Sequence, residues 1–594
     1  MLRKVLTVFG PFGVGFALWL SSQNSPKVFG GHERFAHYAG YVLMLFAIIA
    51  LAKFLSSWVR AWAKAKNTQL TRLTSENARL REQLNWRDLE KASSAVSRCR
   101  DLWQGKTTTT KSTNYEDDPV YLQLFLDQQL SNIVAQPIVQ RLNHIKQLSF
   151  AYLTFRSATH TRLAHSLGAC RNAELVMRKI FQEGRIYTRT GVQTIDLTEQ
   201  EKTRYLRLAM VAALVHDLGH GPLSHALEIH LKFGEEGKSR VRPDKPLSAK
   251  YIDKYLRVAI SEAGVDPDKV IALINKDIDR FTPWMHFIGD LIDSPLDVDR
   301  MDYLARDSHM TGLSIGALNM QALIERVVPF KEVEKDQDHT VKIELAFDRS
   351  AVPYIEQFLY ARDVMYLNCY ERPKKVIAER MLGRAFDEFR KGSGDTTRFE
   401  AEDLALLTDQ QVIELMLAHS GPSTLTCRMI ERLMKGVTFE ELYSAPIPLR
   451  ITGPDGLEAG NALDKLPTEI RRWAEAAMKE DYGGAYLQIP TECAETLSRR
   501  SGVDESQIIV TVPPWSIVDK WLKEGEIRIL LEDSGSFSVD HVDKISNVLR
   551  DFTPALARAR LTLRVFVDPD LTAQQKEKLL IEAKGLFTAS QASS

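Results

Sequence analysis

Apolar residues along this chain are distributed in five regimes. Residues 5–20, VLTVFGPFGVGFALWL, and 38–59, YAGYVLMLFAIIALAKFLSSWV, are near-continuous apolar runs. About 20 mostly apolar residues can cross a bilayer, so the pair predicts a membrane hairpin over 1–60. The first run is short and broken by Gly10, Pro11, Gly13 and Gly15. Arg3 and Lys4 precede the pair and Arg60, Lys64 and Lys66 follow it, which places both ends in the cytoplasm by the positive-inside rule. The pattern then changes. Over 61–92, Leu70, Leu73, Asn77, Leu80 and Leu84 fall three and four apart, as in a short coiled coil with a register-setting Asn or a solvated helical stalk with one apolar stripe. Residues 93–117 are polar, Ser/Thr-rich and linker-like.

From 118 to about 440 the apolar positions recur with a helical period, interrupted by HTVKIELAF at 339–347, whose alternation reads as a strand. The last regime, 441–594, mixes strand patterns in QIIVTVPP, EIRILLED and LTLRVFVDP with an amphipathic helix in TAQQKEKLLIEAKGLF. The predicted fold class is therefore mostly α: a helical core domain with a small C-terminal α/β lobe, preceded by the membrane hairpin and short coiled coil.

A length of 594 residues implies several lobes. A formal net charge of zero argues against a polyanion binder, so no specific nucleic-acid partner is expected. The five cysteines, Cys99, Cys170, Cys369, Cys427 and Cys493, are scattered without a CxxC, as expected in a reducing compartment.

Chemistry concentrates in AALVHDLGHGPLSH, residues 212–225. An ionised Asp217 at the end of an apolar helix is costly unless something pairs with it. Upstream, THTRLAHSLGACRNAELVMRKIF offers His165. Downstream, DSPLDVDRMDYLARDSHMTGLS carries Asp299, Tyr303 and Asp307 four apart, on one helix face. Two imidazoles and two carboxylates, His165, His216, Asp217 and Asp299, suit one divalent ion with positions left for water or phosphate. Taken singly, His165 reads as a core histidine and His216-Asp217 as a helix C-terminus with a dipole-favoured His. Asp302 and Arg306 read as a surface i,i+4 pair.

These segments resemble a known family. H…HD…D is the signature of HD-domain metal-dependent phosphohydrolases. QRLNHIKQLSFAYLTFRSATHTRLAHSLG, HDLGHGPLSH, LDVDRMDYLARD and FLYARDVMYLNCYERP, in that order, look like the deoxynucleoside triphosphate triphosphohydrolases, the dGTPase-like branch. The resemblance runs from about Asp118 to Arg380 and implies an HD phosphohydrolase domain over 118–440. It implies that His165, His216, Asp217 and Asp299 hold one divalent ion (manganese, magnesium, iron or zinc). It implies that Arg162, Arg300 and Tyr303 hold the triphosphate, that Asp307 accepts from the sugar 3′-hydroxyl, and that Gln147 lies beside sugar and base. Arg362, Tyr366 and Tyr370, on one helix face at i, i+4 and i+8, line the nucleotide pocket. His220 and His225 match histidines near the α-phosphate.

One departure stands out. The family's catalytic His after the HD helix has no counterpart, because Asp244 or Lys245 stands there. The acid is then expected from His220 and His225, with Glu228 orienting His225 on a new helix capped by Ser224. The expected function is a membrane-anchored HD phosphohydrolase that cleaves (d)NTPs to nucleoside and triphosphate, at the inner membrane with its HD domain in the cytoplasm. It would form a dimer or tetramer, with an allosteric nucleotide as a further partner. The alternatives are a non-catalytic nucleotide sensor and an HD enzyme acting on another nucleotide phosphoester.

Overall fold

A computed structural model describes residues 115–228, 230, 244–279, 281–316, 318–333, 341–392, 404–421, 423–446, 471, 482–512, 526–549 and 562–587. The expected hairpin over 1–60, the stalk over 61–92 and all but the last three residues of the linker lie outside the described residues. The core is helical. Helix α1 (Arg162–Glu183) begins at Thr161, whose hydroxyl accepts from the Ala164 amide, and ends at Gly184 with φ 64°. Helix α2 (Glu199–Val215) opens on a capping box between Thr198 and Glu201. Every residue from Leu208 to Val215 is buried, which explains its unbroken apolar run. After the short α3 (His225–Glu228) and α4 (Asp244–Tyr251) comes α5 (Trp284–Ile292). Helix α6 (Val298–Thr311) starts at Asp297, whose carboxylate accepts from the Arg300 amide. Helix α1 packs against both α2 and α6, around the largest apolar cluster.

The expected strand at 339–347 is β6, Val341–Asp348. The hairpins β1–β2 (Tyr115–Asp118, Leu122–Phe125) and β3–β4 (Arg185–Thr188, Gly191–Thr194) had no clear sequence signal. Strand β5 (Val327–Val333) pairs antiparallel with β6 along seven residues and parallel with β3. The C-terminal strands divide between two sheets. Strands β7 (Glu440–Pro446), β8 (Ile508–Thr511) and β11 (Thr562–Val567) form an antiparallel sheet in the order β7-β11-β8. It packs with the helices Tyr482–Ser501 and Ala573–Phe587 around its own core. Strands β9 (Arg528–Asp533) and β10 (Ser536–His541) instead join the six-stranded sheet β10-β9-β6-β5-β3-β4. The EIRILLED strand thus leaves the lobe in which the sequence pattern set it and extends the sheet of the helical domain.

The inner-membrane location is corrected. Among the described residues no helix is long and apolar enough to cross a membrane. The strongly apolar α5 has 9 residues, roughly 14 Å of rise against a hydrocarbon core of about 30 Å.

Candidate metal centre and nucleotide pocket

His165 lies on the first turn of α1 and is fully buried. His216 caps the C-terminus of α2, and Asp217 follows it into the loop. Asp299 stands on the first turn of α6. The fold brings all four together. Nε2 of His165 is 3.6 Å from Asp217 and 3.1 Å from Asp299. Nε2 of His216 is 3.3 Å from Asp217 and 3.7 Å from Asp299. Ligands about 2.0–2.2 Å from one ion stand roughly 3–3.5 Å apart, so these separations fit a shared cation. The nitrogens fit as well. His165 presents Nδ1 to Asp302 at 2.8 Å and His216 presents Nδ1 to the Ala213 carbonyl at 2.8 Å. Both Nε2 atoms are buried and make no hydrogen bond. A buried unpaired nitrogen is costly, and a metal is what two converging imidazole lone pairs fit. The donor set accepts a divalent ion.

Electrostatics agree with this geometry. Burial alone would lower the His165 pKa, yet contact with Asp299 and Asp302 raises it to about 10. Burial would raise Asp217, but His216, His220 and Arg162 hold it well below the usual carboxylate range. With three carboxylate oxygens and two ring nitrogens this close, a cation has to be shared, whether a proton or a metal.

Asp302 and Arg306, expected at the surface, are both fully buried, and this corrects that reading. Asp302 accepts from His165 with one oxygen, while Arg306 donates to Asp302 at 2.9 and 3.0 Å and to Asp118 at 2.7 Å. A Cβ at position 168 would overlap the Asp302 carboxylate, so Gly168 on α1 is what lets α6 approach. The pair looks like a surface i,i+4 bridge in sequence because the pattern does not show what the other helix face covers.

The loop after the HD pair is held from outside. Arg141 is fully buried and donates to the carbonyls of Leu218, His220 and Ala405. Asp409 accepts from the amides of Lys146 and Leu223. Ser248 donates to the His216 carbonyl and accepts from the Gly219 amide. Ser224 does not cap a helix in the expected way. Its φ is 53°, and its hydroxyl donates to the Lys146 carbonyl and accepts from Arg162 Nε. Glu228 does orient His225, at 2.8 Å, but it also binds Nδ1 of His220. His220 is buried and its Nε2 lies 3.2 Å from Asp217, whereas the His225 side chain is 67% exposed. Asp244 stands 3.9 Å from His220 Nε2, and Lys245 pairs with Asp293 instead.

The remaining expected residues form a wall along α6 and the helix α7 (Val352–Met365). Arg162 binds Asp217 at 2.5 Å and Ser224. Arg300 commits Nη1 to Asp297 and the Ser294 carbonyl. Past Met365 the helix widens into a π-turn over Tyr366–Tyr370, so the expected i, i+4, i+8 face is not one regular α-helical stripe. Arg362 is buried over the Tyr366 ring at 5.5 Å. Tyr366 meets Tyr370 edge-on at 5.0 Å, and Tyr303 faces Tyr370 at 6.3 Å. Tyr370 donates to Asp307 at 2.7 Å, and His160, which drew no notice in the sequence, binds its other oxygen at 2.7 Å. Gln147 Oε1 is buried without a hydrogen bond.

Fold and site define a helical domain with a His/Asp cluster that could hold a metal ion. No family model matches the chain. It is 31% identical over 279 residues to the uncharacterised protein MG461 of Mycoplasma genitalium, a match covering 46% of this chain and 60% of that protein. A putative HD domain-containing protein of Acanthamoeba polyphaga mimivirus is 28% identical over 48% of this chain and 60% of its own length. The mouse deoxynucleoside triphosphate triphosphohydrolase SAMHD1 is 24% identical over 61% of this chain and 58% of its own. The chain thus spans about three-fifths of the length of these relatives. A phosphohydrolase structure from Bacteroides thetaiotaomicron shares the fold, with a TM-score of 0.52 at 19% identity, over 77% of this chain and all of that one. The chain is thus similar to HD-domain proteins, deoxynucleoside triphosphate triphosphohydrolases among them.

Proposed function

We propose that the chain is a metal-dependent phosphohydrolase that cleaves nucleoside triphosphates to nucleoside and triphosphate. The observation that carries this reading is the convergence of the Nε2 atoms of His165 and His216 on Asp217 and Asp299. A divalent ion held by these four residues would polarise a phosphoryl oxygen and acidify water. Asp299 and Asp307 are eight residues apart on α6, about 12 Å along the axis. That length suits an extended ligand better than a single phosphate group. Arg162, Arg300 and Tyr303 lie toward the metal end and bind the phosphates. Arg guanidinium groups match phosphate oxygens bidentately. Arg362, Tyr366 and Tyr370 wall the nucleoside, and Gln147 and Asp307 contact its sugar. Hydrolysis breaks the bond between the α-phosphorus and the 5′-oxygen, and the departing alkoxide needs a proton. His225, exposed and oriented by Glu228, donates it, while buried His220 links Glu228 to Asp217. The expected homo-oligomer and allosteric nucleotide belong to the same reading, and light scattering with and without nucleotide tests them.

The test is chromatography of the eight common dNTPs and NTPs after incubation with the purified chain and Mn²⁺, Mg²⁺, Fe²⁺ or Zn²⁺. Nucleoside plus triphosphate is the expected product pair. Release of mono- or diphosphate would mean another bond is cut. Asp244, standing near His220 where the family's catalytic His is expected, favours a second reading, a nucleotide sensor. Tight metal-dependent binding without turnover would establish that reading instead.

A further inference from the structure

The segment from His160 to His165 serves both the His/Asp cluster and Asp307. The Gln147 amide donates to the His160 carbonyl at 3.0 Å, the Arg162 amide donates to Ile145, and Lys146 forms a β-bridge with Thr161. So pinned, the segment delivers His165 to the metal centre, Arg162 to Asp217 and His160 to Asp307. His160 and Asp307 are 8% and 1% exposed. The Asp307 carboxylate receives His160 Nε2 on one oxygen and the Tyr370 hydroxyl on the other, each at 2.7 Å. A carboxylate has roughly four lone-pair sites, so two remain. Two fixed donors on different oxygens stop the carboxylate rotating and set the direction of those that remain. His160 Nδ1 is buried and makes no hydrogen bond, so the ring has no other polar partner to orient it. Its position is set by Asp307 and the segment backbone.

Building on the nucleotide-hydrolase reading, we propose that His160 is a positioning residue: it holds Asp307 in the orientation that accepts the 3′-hydroxyl of the bound nucleotide. The test pairs a protein change with a ligand change. Binding of 2′-deoxynucleoside triphosphates and their 2′,3′-dideoxy counterparts is measured by calorimetry in Ca²⁺, with turnover assayed separately. His160→Phe should weaken the 3′-hydroxyl ligand about tenfold, the size of one hydrogen bond to a charged group, and leave the dideoxy ligand within about twofold. His160→Gln, which keeps a donor, should restore most of the difference. Tyr370→Phe, removing the other donor, should show the same selective loss and covers the case in which His160→Phe does not fold. Equal weakening of both ligands would mean a purely structural role and overturn the proposal, as would no weakening of either. Selective weakening in a protein that never turns over nucleotide would sink the hydrolase reading and leave this one standing.

Discussion

At the residue scale the chemistry turns on which nitrogen of each histidine is already engaged. Asp302 takes Nδ1 of His165 and the Ala213 carbonyl takes Nδ1 of His216, and both Nε2 atoms face the shared centre. Carboxylates behind metal-ligating histidines fix tautomer and ring orientation, and their loss costs about 10- to 100-fold in metal affinity. Asp302→Asn should therefore weaken metal binding by that factor, read by competition with a chelator, although Asp302 is not itself a ligand. Unchanged affinity would remove Asp302 from the site. The acid is a separate matter. A positioned proton donor is worth about 10²- to 10⁴-fold, so His225→Ala should cut turnover within that range while elemental analysis still finds the metal. Loss of metal in His225→Ala would assign this side chain to the ion rather than to proton transfer. The convergence of His165, His216, Asp217 and Asp299 was legible in the sequence because four residue types came in motif order. Asp302, Arg306 and His160 were not. A lone His and an i,i+4 ion pair carry the same pattern on a solvated face as in a buried one, and only helix packing decides which.

At the element scale the π-turn at Tyr366–Tyr370 marks where regular periodicity stops predicting position. Such turns are frequent at functional sites, and here the turn sets Tyr370 against Asp307. The helices of the core were legible because α1, α2 and α6 each carry a cap and an apolar face. The two N-terminal hairpins were not. Their strands have four residues each, and β4 is largely exposed, so no clear alternation marks them. Strand β9 was legible as a strand but not as a neighbour of β6, because that parallel pairing rests on two residue pairs, Phe347 with Ile529 and Asp348 with Leu530. The π-turn also carries a titration. Glu371, whose amide donates to the Tyr366 carbonyl at 2.9 Å, is pushed up to about 7 by burial, with Lys375 acting in the opposite direction. A carboxyl raised from its ordinary value favours the fold while it is protonated. Its contribution is full below about pH 4.5 and is lost as pH rises through about 7. Glu371→Gln should thus be more stable than the parent at pH 8, by up to about 3 kcal/mol, and the advantage should vanish by pH 5. Urea unfolding at the two values measures it, and an equal gap at both would show that Glu371 does not titrate in this range.

At the scale of the whole molecule the centre is assembled from positions remote in sequence. Position 165 lies on α1, 216 and 217 at the end of α2, and 299 on α6, while Arg141 and Asp409 brace the intervening loop from a span of more than 250 residues. An ion bound there ties three core helices to one point. Without it, the native state keeps two carboxylates and two imidazoles crowded together. A ligand that binds only the folded chain stabilises it by RT ln(1 + [L]/Kd), about 2.7 kcal/mol at one hundred times Kd. Melting of the purified chain should therefore rise by a few degrees with added Mn²⁺ or another of the four ions. The double variant His216→Ala with Asp217→Ala should show no rise and retain no stoichiometric metal by elemental analysis. Its melting without metal is the internal control. Removing the carboxylate takes the ion-pair partner from buried Arg162, so the variant should start lower than the parent, and only the ion-dependent increment bears on the site. A parent chain whose melting ignores every divalent ion, or a double variant that still gains stability from one, would place the metal elsewhere or nowhere.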